Sequence, residues 1–322
     1  MQTWTLGVEI GGTKLQLALG DEKGEIVDSR RGEAPAEGGA AAILEWFSRE
    51  VPRVLDKARE LGGNAAAMGV GFGGPVESAT GKALVSHQVA GWENIALKGW
   101  FESEFGLPTV VANDTNAGGW AEYCRGAGRG TRHFFYTNIG SGIGGALILD
   151  GRLYDGQGFG AGEMGHTYVP DWTSDAPGAA DKLENLCSGW SIERRVRSVE
   201  GLAPDSPLAA LCGGRPEGIT CAMLAEAARQ GDEFSRGEID RVARGLGLAI
   251  ANVITLFHPE RVAMGGGVSL MGDTLLAPVR HYVDEHVFDP YRGRYAVVPC
   301  ELGEAIVVVG AILLARGAVE SE

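Results

Sequence analysis

An α/β chain of two related lobes is the fold class this sequence predicts, and three observations carry it. An apolar run, Pro108 to Ala112, meets the polar tetrad Asn113-Asp114-Thr115-Asn116 and then Ala117-Gly118-Gly119-Trp120, the pattern of a buried strand ending at a helix start. Two glycine turns each join a strand to a second strand instead of a helix, which marks a duplicated device. The chain has 322 residues, 44% hydrophobic and 22% charged, more than one small core organises.

The first hairpin is Leu6-Gly7-Val8-Glu9-Ile10, the tip Gly11-Gly12-Thr13-Lys14, and a return in which Leu15, Leu17 and Leu19 alternate with the strand period. A P-loop and a dinucleotide fingerprint both require a helix after their glycines, so neither fits. Backbone N–H groups, a Thr hydroxyl and a Lys ammonium at such a tip are suited to phosphate oxygens, although the segment alone reads equally well as an ordinary hairpin turn. From Gly39 to Leu61 the apolar positions Ile43, Trp46, Phe47, Val51, Val54 and Leu55 recur at helical spacing. Ala67 to Phe72 then reads as a strand feeding the loop Gly73-Gly74-Pro75, whose glycines allow close approach to a ligand.

The second hairpin runs from Phe134 to Asp150 through Gly140-Ser141-Gly142. Its G-x-G-x-x-G spacing is again followed by a strand. Between Gly156 and Gly189 lies a loop-rich insert with Gly162-Glu163-Met164-Gly165-His166 and Leu183-Glu184. Gly201 to Gly218 is turn-rich and reads as surface. Glu238 to Phe257 is a long helix stopped by His258-Pro259, Arg261 to Met264 a strand, and Gly265-Gly266-Gly267 a turn with room for a flat ring on the backbone. Ala305 to Ala315 is apolar but too short to span a bilayer, so it reads as a buried helix.

Composition narrows the partners. With 28 basic and 42 acidic side chains the net charge is -14, which argues against nucleic acid and anionic membranes. The five cysteines are odd in number and scattered, so neither a disulfide framework nor a C-x-x-C metal site is expected. Met1 to Thr5 shows no leader pattern, and a reducing cytoplasm fits.

The Gly-Gly-Thr-Lys hairpin, Gly74-Pro75-Val76, Asn113 to Ala117, the second hairpin, Gly162 to His166 and Met264-Gly265-Gly266-Gly267-Val268-Ser269 occur in the order that resembles the ROK family of repressors, open reading frames and sugar kinases. The resemblance spans almost the whole chain. It implies an actin-like ATPase (ribonuclease H-like) fold with two lobes around a central cleft. The expected N-terminal lobe is 1-117, with the C-terminal helix 303-322 packing back on it, and the C-terminal lobe is 118-302. It also implies transfer of the ATP γ-phosphate to a hexose, with Mg²⁺, in a cytoplasmic homodimer.

By position, the resemblance makes Asp114 the general base, which suits the chemistry: a sugar hydroxyl is a poor nucleophile until a carboxylate takes its proton. Asn113, Glu163, His166 and Glu184 match the positions that hold sugar hydroxyls, with Gly73 beside them. Gly11, Gly12, Thr13, Lys14, Gly140, Ser141 and Gly142 are the expected phosphate contacts, and Gly265, Gly266 and Gly267 receive adenine and ribose. Glu9 stands where Asp is usual and is expected to organise Mg²⁺ or its water. Many relatives carry a zinc site, C-x-C-G-x-x-G-C, before the Leu-Glu pair. Here those cysteine positions are Asp175, Pro177 and Lys182; a proline has no ligand atom and a lysine repels the cation, so no structural zinc is expected. His87-Gln88 replaces the family's Pro-Asn and bears on sugar identity. Glucose is the first expectation, with fructose, mannose or an N-acylated hexosamine as alternatives, and a non-catalytic sugar-binding regulator as a reading of a different class. Retention of Asp114 and both hairpins favours the enzyme.

Overall fold

The computed structural model describes residues 2–35, 37–86, 88–199 and 202–319. In chain order the strands are β1 (Gln2–Ile10), β2 (Lys14–Gly20), β3 (Ile26–Glu33), β4 (Gly63–Phe72), β5 (Val76–Glu77), β6 (Lys82–Ala83), β7 (Thr109–Asn113), β8 (Phe134–Ile139), β9 (Ile143–Leu149), β10 (Arg152–Leu153), β11 (Tyr168–Pro170), β12 (Ala180–Lys182), β13 (Arg261–Gly265) and β14 (Ala296–Pro299). The helices are α1 (Gly39–Glu60), α2 (Leu97–Phe105), α3 (Asp114–Arg125), α4 (Leu183–Cys187), α5 (Gly189–Arg197), α6 (Pro207–Leu211), α7 (Cys221–Arg229), α8 (Glu233–Phe257), α9 (Asp273–His286) and α10 (Ile306–Val319). Two compact units divide them. The first takes 2–129, 146–161 and 301–319, and the second 130–145 and 162–300.

In the first unit a five-stranded sheet has the order β3-β2-β1-β4-β7. β1 and β2 are antiparallel, whereas β1, β4 and β7 run parallel. The alternation along these strands decides what covers each face. Leu6, Val8, Leu15, Leu17 and Leu19 point into one core with Ile43, Phe47, Val51 and Phe101. Small residues occupy the opposite face, where Ala18 meets Val308 and Ile312 of α10. A sheet buried on both sides explains why β1 and β4 read as apolar runs.

α1 has Pro52 in its interior, which costs about 3 kcal/mol in lost hydrogen bonding and ring clash. Ile43, Phe47, Val51 and Val54 on its inner face are fully buried, each worth roughly 1.5–3 kcal/mol, so packing outweighs the break. β3 lies at the sheet edge and alternates between half-buried and exposed positions, with Asp28, Arg30 and Arg31 along it. Charges on an edge strand discourage further pairing.

In the second unit β13 pairs in parallel with β8 on one side and β14 on the other. β9 begins after the Gly140–Gly142 turn, and its later half and β10 are counted with the first unit. α8 opens five residues before the periodicity predicts, because the Asp232 side chain accepts from the Ser235 N–H at 2.7 Å and caps it there. The stretch read as surface turns contains α6, capped by Ser206 with Pro207 at its first position, and Leu208 and Ala209 are buried. That stretch begins at Gly201, which lies outside the described residues, as do 320–322. The insert read as loop holds the hairpin β11–β12, with Tyr168 paired to Lys182 and Pro170 to Ala180.

Candidate active site

The candidate residues fall into two sets, one in each unit. In the first unit β1 and β2 present the tip Gly11 to Lys14, β4 ends at Gly73, and β7 delivers Asn113 and Asp114 to the start of α3. The tip is tight: Gly11 N–H donates to Lys14 O at 3.0 Å, so it is spent inside the turn. Gly12 and Thr13, with the Thr13 hydroxyl, form the outward end.

Asn113 is the helix cap. Its Oδ1 accepts from the N–H groups of Thr115 (2.9 Å) and Asn116 (3.2 Å), and its Nδ2 donates to Gly74 O at 3.1 Å. Both acceptor positions and one donor are thereby used, which leaves one amide N–H for a ligand. Asp114, the first residue of α3, is relieved of capping. Its Oδ1 accepts from its neighbour Thr115 N–H at 2.6 Å, while a β-carbon on Gly73 would lie 3.4 Å from Asp114 Oδ2 and 3.6 Å from Gly11 Cα. Gly73 thus lies within ordinary contact distance of both the tip and the carboxylate, and the helix N-terminus favours an anionic side chain there.

Glu9 lies buried beside them. Its Oε1 is 3.2 Å from Lys14 Nζ, and its Oε2 accepts from Gln16 Nε2 at 2.8 Å. Lys14 and Gln16 also donate to Glu304 O. Burial pushes the Glu9 carboxyl above its ordinary value; Lys14 opposes this and the charge of Asp114 adds to it. Gln16 escaped the sequence reading, and its signal was there: a polar side chain between Leu15 and Leu17 on a strand buried on both faces. Gln88 packs on the tip, its amide lying where a Gly12 β-carbon would go. Its neighbour His87 lies outside the described residues.

The second unit gathers Gly140 to Gly142, Glu163, His166, Glu184 and Gly265 to Gly267. Glu184 Oε2 accepts from Ile143 N–H at 2.7 Å and would be 2.6 Å from a β-carbon on Gly142. That carboxylate therefore fixes the second hairpin with one oxygen and keeps the other. Ser141 is exposed at the turn. Gly266, at φ 83°, sits against Ile139 so closely that a β-carbon would lie 2.5 Å from its carbonyl. Partial desolvation raises the Glu163 carboxyl above its ordinary value; His166 opposes and Glu184 reinforces the shift, so these three groups act on one another. Beyond the triple glycine, a cavity of about 190 Å³ is lined by Met264, Ser269, Asp273, Leu275, Leu276 and Pro299.

The residues present do not fit zinc. Pro177 offers no donor, and the Lys182 ammonium nitrogen lies 3.2 Å from His166 Nδ1, on the nitrogen itself. Among the described residues no group of three or more His, Cys, Asp and Glu is arranged to hold a metal ion. Burial pushes the thiols of Cys187 and Cys221 up to about 12, so neither serves as a thiolate. No described helix is long and apolar enough to cross a membrane.

Two α/β units with paired glycine turns at strand ends, and an aspartate opening a helix beside one of them, define a protein of the actin-like ATPase fold. The chain belongs to the ROK family, whose model matches residues 5–318. A glucokinase of Streptomyces coelicolor is 32% identical over 97% of this chain and 97% of its own. One of Thermotoga maritima is 33% identical over 95% of each. The crystal structure of a ROK family glucokinase from Streptomyces griseus in complex with glucose and AMPPNP superposes with a TM-score of 0.81, at 32% identity, covering 98% of this chain and 99% of that one.

Proposed function

We propose that this chain transfers the γ-phosphoryl group of ATP to a hexose hydroxyl, with the 6-hydroxyl of glucose as the first candidate acceptor. The observation that carries the reading is the division of labour at the start of α3: Asn113 caps the helix, and Asp114 Oδ2 faces Gly73 beside the glycine tip. The Asp114 carboxylate is the group placed to take the hydroxyl proton as the sugar oxygen bonds to phosphorus and the bond from phosphorus to the β-phosphate oxygen breaks.

Phosphoryl transfer needs little covalent help from protein, so the remaining residues position and neutralise. Gly12, Thr13 and Lys14, and in the second unit Gly140 to Gly142, are assigned to phosphate oxygens. The cavity beside Gly265 to Gly267 is assigned to the base and ribose. Asn113, Glu163, His166 and Glu184 are assigned to sugar hydroxyls, a set that both donates and accepts. Mg²⁺ would sit near Glu9 and Asp114 and would supply charge neutralisation to the phosphates; one or two carboxylates with phosphates suit that ion. Glu9 is already shared by Lys14 and Gln16, which fits contact through water rather than direct ligation.

The test is a coupled ADP-release assay of the purified protein with Mg-ATP over glucose, mannose, fructose, N-acetylglucosamine and N-acetylmannosamine. Hexose-dependent ADP release, highest with glucose, is the expected result. ADP release no higher with any sugar than without overturns the kinase reading; a higher rate with another hexose replaces glucose alone.

A further inference from the structure

Lys182 is anchored two ways. Its backbone pairs with Tyr168 across the β11–β12 ladder, and the next residue, Leu183, donates its N–H to Thr167 O at 2.8 Å. These two rungs face the residues that follow His166 directly, so the ladder delivers the Lys182 side chain to the imidazole, where Nζ lies 3.2 Å from Nδ1. An ammonium has three donors and no acceptor. For the two nitrogens to bond, Nδ1 must carry the lone pair, and the ring proton must sit on Nε2.

We propose that Lys182 is a positioning residue that holds His166 as the neutral Nε2–H tautomer, so that the imidazole acts toward substrate only as a hydrogen-bond donor. The consequence is a fixed polarity beside Glu163 and Glu184. Carboxylate oxygens accept, and His166 only donates, so the bound sugar must present a hydroxyl hydrogen to the carboxylates and an oxygen lone pair to the imidazole. A free histidine would accept either arrangement by exchanging tautomers. This chain has removed that freedom with a side chain that stands at one of the positions where relatives place cysteine. The substrate part of this inference rests on the sugar-kinase reading; the tautomer part does not.

The test separates the two. Long-range ¹H–¹⁵N spectra of the intact protein near neutral pH, with the His166 ring assigned by its loss in His166→Asn, should show the Nε2–H tautomer. Lys182→Met keeps the length of the side chain and removes the donor; it should give a mixture of tautomers, and Lys182→Arg should restore the single form. In the ADP-release assay Lys182→Met should raise the KM for the sugar about tenfold, as for loss of one charge-assisted hydrogen bond, and leave the KM for ATP unchanged. A wild-type ring in the Nδ1–H form, or a Lys182→Met protein with the wild-type His166 spectrum, overturns the proposal. If the wild type turns over no sugar, the kinase reading fails and the spectra still decide the tautomer.

Discussion

Asn113 Nδ2 donates to the Gly74 carbonyl at 3.1 Å, so the residue that caps α3 also ties the end of β7 to the loop after β4. One amide supports both the helix and the glycine turn. Asn113→Ala removes all three bonds, and the unfolding free energy should fall by about 1–2 kcal/mol, the range for a lost helix cap. Asn113→Asp keeps the two cap acceptors but sets a carboxylate oxygen against the Gly74 carbonyl; kcat/KM should fall with a smaller loss of stability. Urea unfolding beside steady-state assays checks both. Equal stability of wild type and the Ala variant would show that the cap carries no weight.

Asp114→Asn preserves an oxygen for the Thr115 N–H and removes the base. The kcat should fall by about 10²–10⁴-fold, the usual contribution of a positioned general base, with sugar affinity by calorimetry unaltered. An unchanged kcat would take Asp114 out of that role.

Glu9 gives a pH signature. Its carboxyl is raised above the ordinary 4.5, chiefly by burial, so the native state holds this proton more tightly than the unfolded chain. The stabilising contribution of the neutral form is complete below the unfolded value and is lost as pH rises through the folded one. Glu9→Gln cannot titrate. Measured by urea unfolding from pH 4 to pH 8, the variant should gain on the wild type as pH rises. Because the charge of Asp114 adds to the shift, the gain should shrink in an Asp114→Asn background. A difference between the two proteins that does not vary with pH would contradict the assignment.

How far the sequence reaches is visible in these same residues. Both hairpins were legible because alternation after a glycine turn has one physical meaning; β2 and β9 follow it. The strand-to-helix junction at 113–114 was legible too, but not which side chain caps, since Asn and Asp are equally good caps and only the backbone geometry distinguishes them. β3 was missed because an edge strand carries charge where the rule looks for apolar residues. Lys182 was read only as an obstacle to zinc; its contact with His166 depends on the β11–β12 register, a long-range pairing that local periodicity does not encode.

The last expectation concerns what holds α3, and so Asp114, in place. α10 lies against α3 and β4 at backbone distance: a β-carbon on Gly310 would be 1.8 Å from Ala117 O, and one on Gly69 would be 1.9 Å from Ala311 O. Neither glycine has a positive φ, so an alanine at either position meets a clash with backbone and no dihedral penalty. Rigid backbone cannot yield as a side-chain end would, and overpacking of this kind costs about 1–3 kcal/mol. Gly310→Ala should therefore lower stability by that amount. The displaced atom is the carbonyl of Ala117, one turn along α3 from Asp114, so the variant should also lose kcat at temperatures where it remains folded. Gly317→Ala, with nothing within 4 Å of its added carbon, is the control and should leave kcat unchanged. If Gly310→Ala matches that control in both melting temperature and kcat, α10 does not pin the catalytic helix.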